Sequence, residues 1–211
     1  MESKMYKYSG ISLVLGAALL ILTMVLHPMG GSIEYIIKIS RVIIISHSIA
    51  LFGIPFITFG FYGVYRRLCD DTGLSVLAFI FNCLAMITAV LAGAINGLAT
   101  PFFVNKYHDR IPDLKDQLGT VMQYGFALNK AFDLILIISF CISMMIWSVL
   151  IIWKQKLPSW LGWFGILISL LALCSGILGY NFISVTGFSF FIFGISIWIL
   201  GLGYCQIRKP L

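Results

Sequence analysis

Apolar residues along this chain come in six long blocks divided by short polar stretches. About 20 apolar residues in an α-helix cross the roughly 30 Å hydrocarbon core of a bilayer. The blocks predict such helices over about 9–26, 42–65, 75–99, 126–153, 160–178 and 184–205. The expected fold class is all-α: a polytopic membrane protein, one bundle of six transmembrane helices forming a single domain over residues 1–211. A transmembrane barrel would alternate polar and apolar residues over segments of about ten, and no block does so. The first block is followed by His27-Pro28-Met29-Gly30-Gly31. That is not a small-x-small cleavage site, so the block reads as a retained helix rather than a signal peptide.

The polar stretches differ from one another. Residues 30–41 carry Ile33, Ile36, Ile37 and Ile39 among polar residues, which predicts a short interfacial segment. Residues 101–125 form the long extracytoplasmic connection. Within it Leu114, Leu118, Val121, Met122 and Gly125 recur on one helical face, so an amphipathic segment either lies flat on the outer leaflet or caps the bundle. Pro158 stops the fourth helix, and Ser159 is placed to cap the fifth, with Trp160 as its first residue. Gly53-Ile54-Pro55 predicts a kink in the second helix that could open a cavity.

Composition turns this pattern into an exclusion. Only 10% of the 211 residues are charged and 60% are apolar, against about 25% charged in soluble domains. Five cysteines are scattered without paired spacing, which reads as apolar filling rather than a disulfide framework. The net charge of +6 suggests polyanion binding until its placement is read. With six spans the termini share one side. That side holds eight basic and three acidic residues, the other six basic and five acidic. The basic excess hugs the helix ends on the terminal side, so both termini are expected to be cytoplasmic in a cell membrane. The charge orients the protein and implies no nucleic-acid partner. The bilayer is the partner composition requires, and oligomerisation stays open.

Candidate chemistry comes from depth. Counting 19 to 21 residues outward from each cytoplasmic helix end lands on His27, His47, Asn96, Asp133, the pair Tyr180 and Asn181, and Ser184. Asn129 lies one turn beyond Asp133. Every helix thus presents a polar side chain near the outer hydrocarbon boundary, where ionisable groups are costly. One reading is a polar cup that binds or passes a small or lipidic ligand. Its candidate residues are His27, His47, Asn96, Asn129, Asp133, Tyr180 and Asn181. The plain alternative is that polar groups gather at headgroup level in any bundle. Two histidines and a carboxylate (His27, His47, Asp133) are also a zinc ligand set with an open position, and His27 with His47 could ligate haem. No cofactor is the leading expectation, with zinc or haem as the alternative. Asn129 and Asp133 share a helix face at i, i+4. Lys130 can reach Asp133 at i, i+3 or extend outward and leave it to another partner. There is no phosphate loop, no GxSxG and no charge at mid-membrane. The expectation leans away from an enzyme and from an ion-coupled transporter, and an accessory membrane subunit is a third reading.

Leu128-Asn129-Lys130-Ala131-Phe132, and the turn Leu157-Pro158-Ser159-Trp160-Leu161-Gly162-Trp163 that enters the fifth helix, resemble motifs of small six-helix bacterial membrane proteins of unknown function. His27-Pro28 and His47 are placed similarly. The resemblance implies topology and a bacterial source, and no activity.

Overall fold

Each apolar block forms one helix, and three of the helices run well beyond their blocks. The computed structural model describes residues 2–28, 31–69, 72–107, 110–178 and 185–208. The helices are α1 (Glu2–Leu26), α2 (Ile33–Leu68), α3 (Leu74–Ala92), α4 (Thr100–Lys106), α5 (Ile111–Lys154), α6 (Ser159–Ile177) and α7 (Val185–Arg208). A π-helical turn, Gly93–Ala99, joins α3 to α4, so the two form one span, Leu74–Lys106. Among the described residues there is no strand, and six helices are long and apolar enough to cross a membrane. That points to a multi-pass membrane protein.

The connections between blocks differ from expectation. Ser32 caps α2 by accepting the Tyr35 N–H at 3.3 Å, so residues 33–41 are its first turns rather than a separate interfacial segment. Helix α2 then continues through Pro55 without a break. The stripe from Leu114 onward belongs to α5, whose 44 residues span about 66 Å, twice the hydrocarbon thickness. Leu118 and Met122 on that stripe are buried. Met122 joins Ile36 and Ile43 of α2 and Val104 of α4 in a small apolar cluster separate from the main core. On that face Leu118 and Met122 are packed into the protein while Val121 is exposed. Helix α6 starts one residue earlier than expected, with Pro158 as its N-cap.

Within the bundle α1 packs against α2 and α7, α3 runs along α5, and α6 bridges α5 and α7. The core fills the terminal-side half with large side chains: Leu13, Phe61, Met144, Trp147, Leu150, Trp198 and Leu202 are fully buried. Lipid tails are as apolar as leucine, so helices associate here through packing and hydrogen bonds rather than escape from water. Small residues make the contact close. A Cβ on Gly10 would lie 2.7 Å from the Gly203 carbonyl, so α1 and α7 cross almost backbone to backbone. A Cβ on Gly60 would run into Leu13. Trp198 Nε1 donates to the Leu161 carbonyl at 2.9 Å, and Ser143 Oγ to the Ala78 carbonyl at 2.8 Å, tying α7 to α6 and α5 to α3.

The exterior is as apolar as the interior: Leu77, Ile80, Leu84 and Ile87 on α3 and Leu167, Leu170 and Leu171 on α6 are all exposed. Such a surface suits lipid as solvent. At the terminal side it ends in exposed Tyr8, Trp153, Trp160, Trp163 and Tyr204, residue types that gather at membrane–water boundaries. All five cysteines are free.

Candidate functional site

Five helices turn one face each toward a common cavity of about 200 Å³ at the end of the bundle opposite the termini. From α1 come Leu20, Thr23 and Met24, with His27 directly after its end; on α2 the lining residues are His47, Ala50, Ile54 and Ile57. The α3 span contributes Met86, Ala89, Ala92, Gly93 and Asn96; α5 contributes Asn129, Asp133, Leu136 and Phe140. Phe188, Phe191, Ile192, Ile195 and Ile199 of α7 complete the wall. Each set follows the three- and four-residue spacing of one helix face. On α2 and the α3 span it runs ten residues, about 15 Å of depth. Polar residues head four of the five stripes, and nearly everything below them is aliphatic or aromatic.

His27, His47, Asn96, Asn129 and Asp133, expected to form a polar cup, thus line one cavity, and all five are half-buried. Tyr180, Asn181 and Ser184 lie outside the described residues. A cavity was expected only from a kink at Gly53-Ile54-Pro55, and the residues of the apolar shaft beneath the polar ring, Ile54 apart, were not anticipated. Its residues repeat at helical spacing, but on helices that are apolar all round such spacing has no polar face to contrast with.

The two imidazoles meet with ring centroids 4.9 Å apart and planes at 52°. His47 Nδ1 lies 2.9 Å from the Ile43 carbonyl. A carbonyl only accepts, so this contact assigns the proton to Nδ1 and leaves a lone pair on Nε2. His27 Nδ1 is buried with no hydrogen-bond partner among the described residues. Gly97 makes the His47 position possible, because a Cβ there would fall inside the imidazole. Gly93, one helical turn before Gly97, faces α2 as well, beside Leu51. Asn96 sits between them in the π-helical turn. Pro101 follows four residues after Gly97, lacks the N–H that would bond its carbonyl, and crowds it with its ring. The wider turn relieves that conflict, and such turns gather at functional sites.

On α5, Asn129 Nδ2 donates to Asp133 Oδ2 at 2.7 Å. Lys130 is exposed and forms no ion pair with Asp133 among the described residues. Of the two options for Lys130, the outward one is realised.

The metal alternatives fit less well. No three His, Cys, Asp or Glu side chains gather as a metal site among the described residues, so Asp133 does not complete a zinc set with the two histidines. Histidines on opposite faces of a haem iron would have ring centroids at least about 6 Å apart, from bonds of ~2 Å plus the two ring radii. At 4.9 Å these rings are too close.

The chain matches no protein-family model, no curated protein and no solved structure. The resemblance to six-helix bacterial proteins therefore stands on its short motifs alone, and the site is read from its own geometry.

Proposed function

We propose that this protein binds a lipid-like amphiphile, its head held by the polar ring and its chain lying in the apolar shaft. The observation that carries this reading is the polarity gradient. Five polar side chains rim a cavity whose deeper wall, from Leu20 and Ile54 to Phe140 and Ile199, is apolar. A small polar solute would leave that wall wet, and a plain hydrocarbon would leave the ring unpaired, at a cost of about 1–3 kcal/mol per buried group. An amphiphile satisfies both ends.

Charge placement supports an orientation with both termini cytoplasmic in the cell membrane, the polar ring facing the extracytoplasmic side. Packing below the shaft favours holding the ligand over passing it straight through, since Phe61, Trp147 and Trp198 fill the bundle there. Mass spectrometry of extracts from protein purified in mild detergent tests the reading. Near-stoichiometric single-chain amphiphile is expected, and it should be lost when Ala89→Trp fills the shaft. A preparation free of such a molecule, or one that keeps it in Ala89→Trp, contradicts the proposal.

A further inference from the structure

Among the described residues the polar ring is rich in acceptors and holds no lysine or arginine. One carboxylate, two imidazoles and two amides line it, with the Thr23 hydroxyl below them donating to the Leu19 carbonyl. Asp133 receives one hydrogen bond, from Asn129 to Oδ2, and Oδ1 receives none from the described residues. A carboxylate above an apolar shaft with a single amide partner lacks the counter-charge that such a position calls for. His47 adds a second acceptor, because its Nδ1–H is committed to the Ile43 carbonyl and only the Nε2 lone pair remains. Asn129 spends its amide nitrogen on Asp133 and keeps its carbonyl oxygen as a third acceptor.

We infer that the head selected here is a protonated amine, carried on a single-chain amphiphile. An ammonium brings three N–H donors and the missing positive charge. A fatty-acid carboxylate or a lipid phosphate would instead face Asp133 with no cation between them, a repulsion that a low-dielectric site strengthens. A long-chain alcohol would fill the shaft equally well but answer only one acceptor and no charge. The cavity's volume of about 200 Å³ is small beside the ~300–1,000 Å³ of pockets that enclose drug-sized ligands, which favours one chain in the shaft over two.

This inference rests on the cavity being the ligand site, and the test separates the two. The full-length protein in nanodiscs is titrated with dodecylamine, dodecanol and dodecanoate, which share one tail, and binding is read by native mass spectrometry. The amine is expected to bind about tenfold or more tighter than the alcohol, with the acid weakest, as a charge-assisted hydrogen bond implies. Asp133→Asn should bring the amine down to the level of the alcohol. If alcohol or acid binds wild type as tightly as the amine, the charge selection is wrong while the amphiphile cavity stands, provided Ala89→Trp removes that binding. If none of the three binds wild type, both readings fall.

Discussion

The two ends of this bundle are built from the same kinds of helices and reach opposite outcomes. At the terminal end α1, α2 and α7 close almost to backbone contact, through Gly10 against Gly203 and Gly60 against Leu13. Even the polar side chains are packed away there: Ser9 Oγ lies 3.0 Å from the Tyr6 carbonyl and 3.3 Å from Gln206 Oε1. The Arg67 guanidinium sits 5.7 Å over the Tyr6 ring at 2% exposure. At the other end the same α1 and α2 line a cavity, with His27 and His47 half-buried at its rim. The closed end buries its polar groups completely, Arg67 Nε and Nη1 and Gln206 Nε2 without hydrogen-bond partners among the described residues, whereas those at the hollow end line a cavity that a ligand could reach. At the closed end glycines bring backbones or a core leucine together, whereas at the hollow end Gly93 and Gly97 make room for Leu51 and His47 of α2 and the centre stays unfilled. The proposed function places stability at one end and binding at the other.

Substitutions at the closed end should therefore act on stability, and those at the hollow end on binding. Trp147→Ala is expected to be the most damaging, at about 3–5 kcal/mol, because it empties a fully buried site in the main core. Thermal unfolding in detergent reads this, and a loss under about 1 kcal/mol would mean the closed end is not the stable one. Gly60→Leu should follow, at about 1–3 kcal/mol, by pushing Leu13 out of the α1–α2 seam. Trp198→Phe removes the hydrogen bond to the Leu161 carbonyl while keeping most of the ring volume, so a cost of about 1 kcal/mol is expected. At the hollow end Asp133→Asn should leave the melting temperature unchanged or raised, since it removes a half-buried carboxylate that no cation among the described residues pairs. Amine binding should fall about tenfold or more in the same variant. A large destabilisation by Asp133→Asn would show that the carboxylate serves the fold, and the contrast between the ends would collapse.

The sequence made the six helices legible because about 20 apolar residues have few other uses. It also made the height of the polar ring legible, because helix rise converts position into depth: His27, His47, Asn96 and Asp133 share a level by counting alone. Rotation was not legible. Leu20, Ile54, Phe140 and Ile195 line the shaft while Leu77, Ile80 and Leu170 face outward, and nothing in side-chain type separates the two groups, since lipid and protein interior are equally apolar. The stripe at Leu118 and Met122 was readable as a helical face. Its continuity with the next span was not, because nothing in the sequence told a packed outer extension from a helix lying on the leaflet. The π-helical turn has a signal in retrospect, Asn96 and Gly97 four or five residues ahead of Pro101. That signal has meaning only once the backbone is known.

The most direct test of the amphiphile site is photocrosslinking with a single-chain alkylamine carrying a diazirine near the tail end, followed by peptide mapping of the adducts. A chain inserted below the polar ring should label shaft residues on several helices, among them Ile54, Phe140 and Ile195, and labelling should vanish in Ala89→Trp. Adducts confined to lipid-facing positions such as Leu77, Leu84 and Leu170, unchanged by Ala89→Trp, would show that the amphiphile stays in the bilayer and that the cavity is not its site.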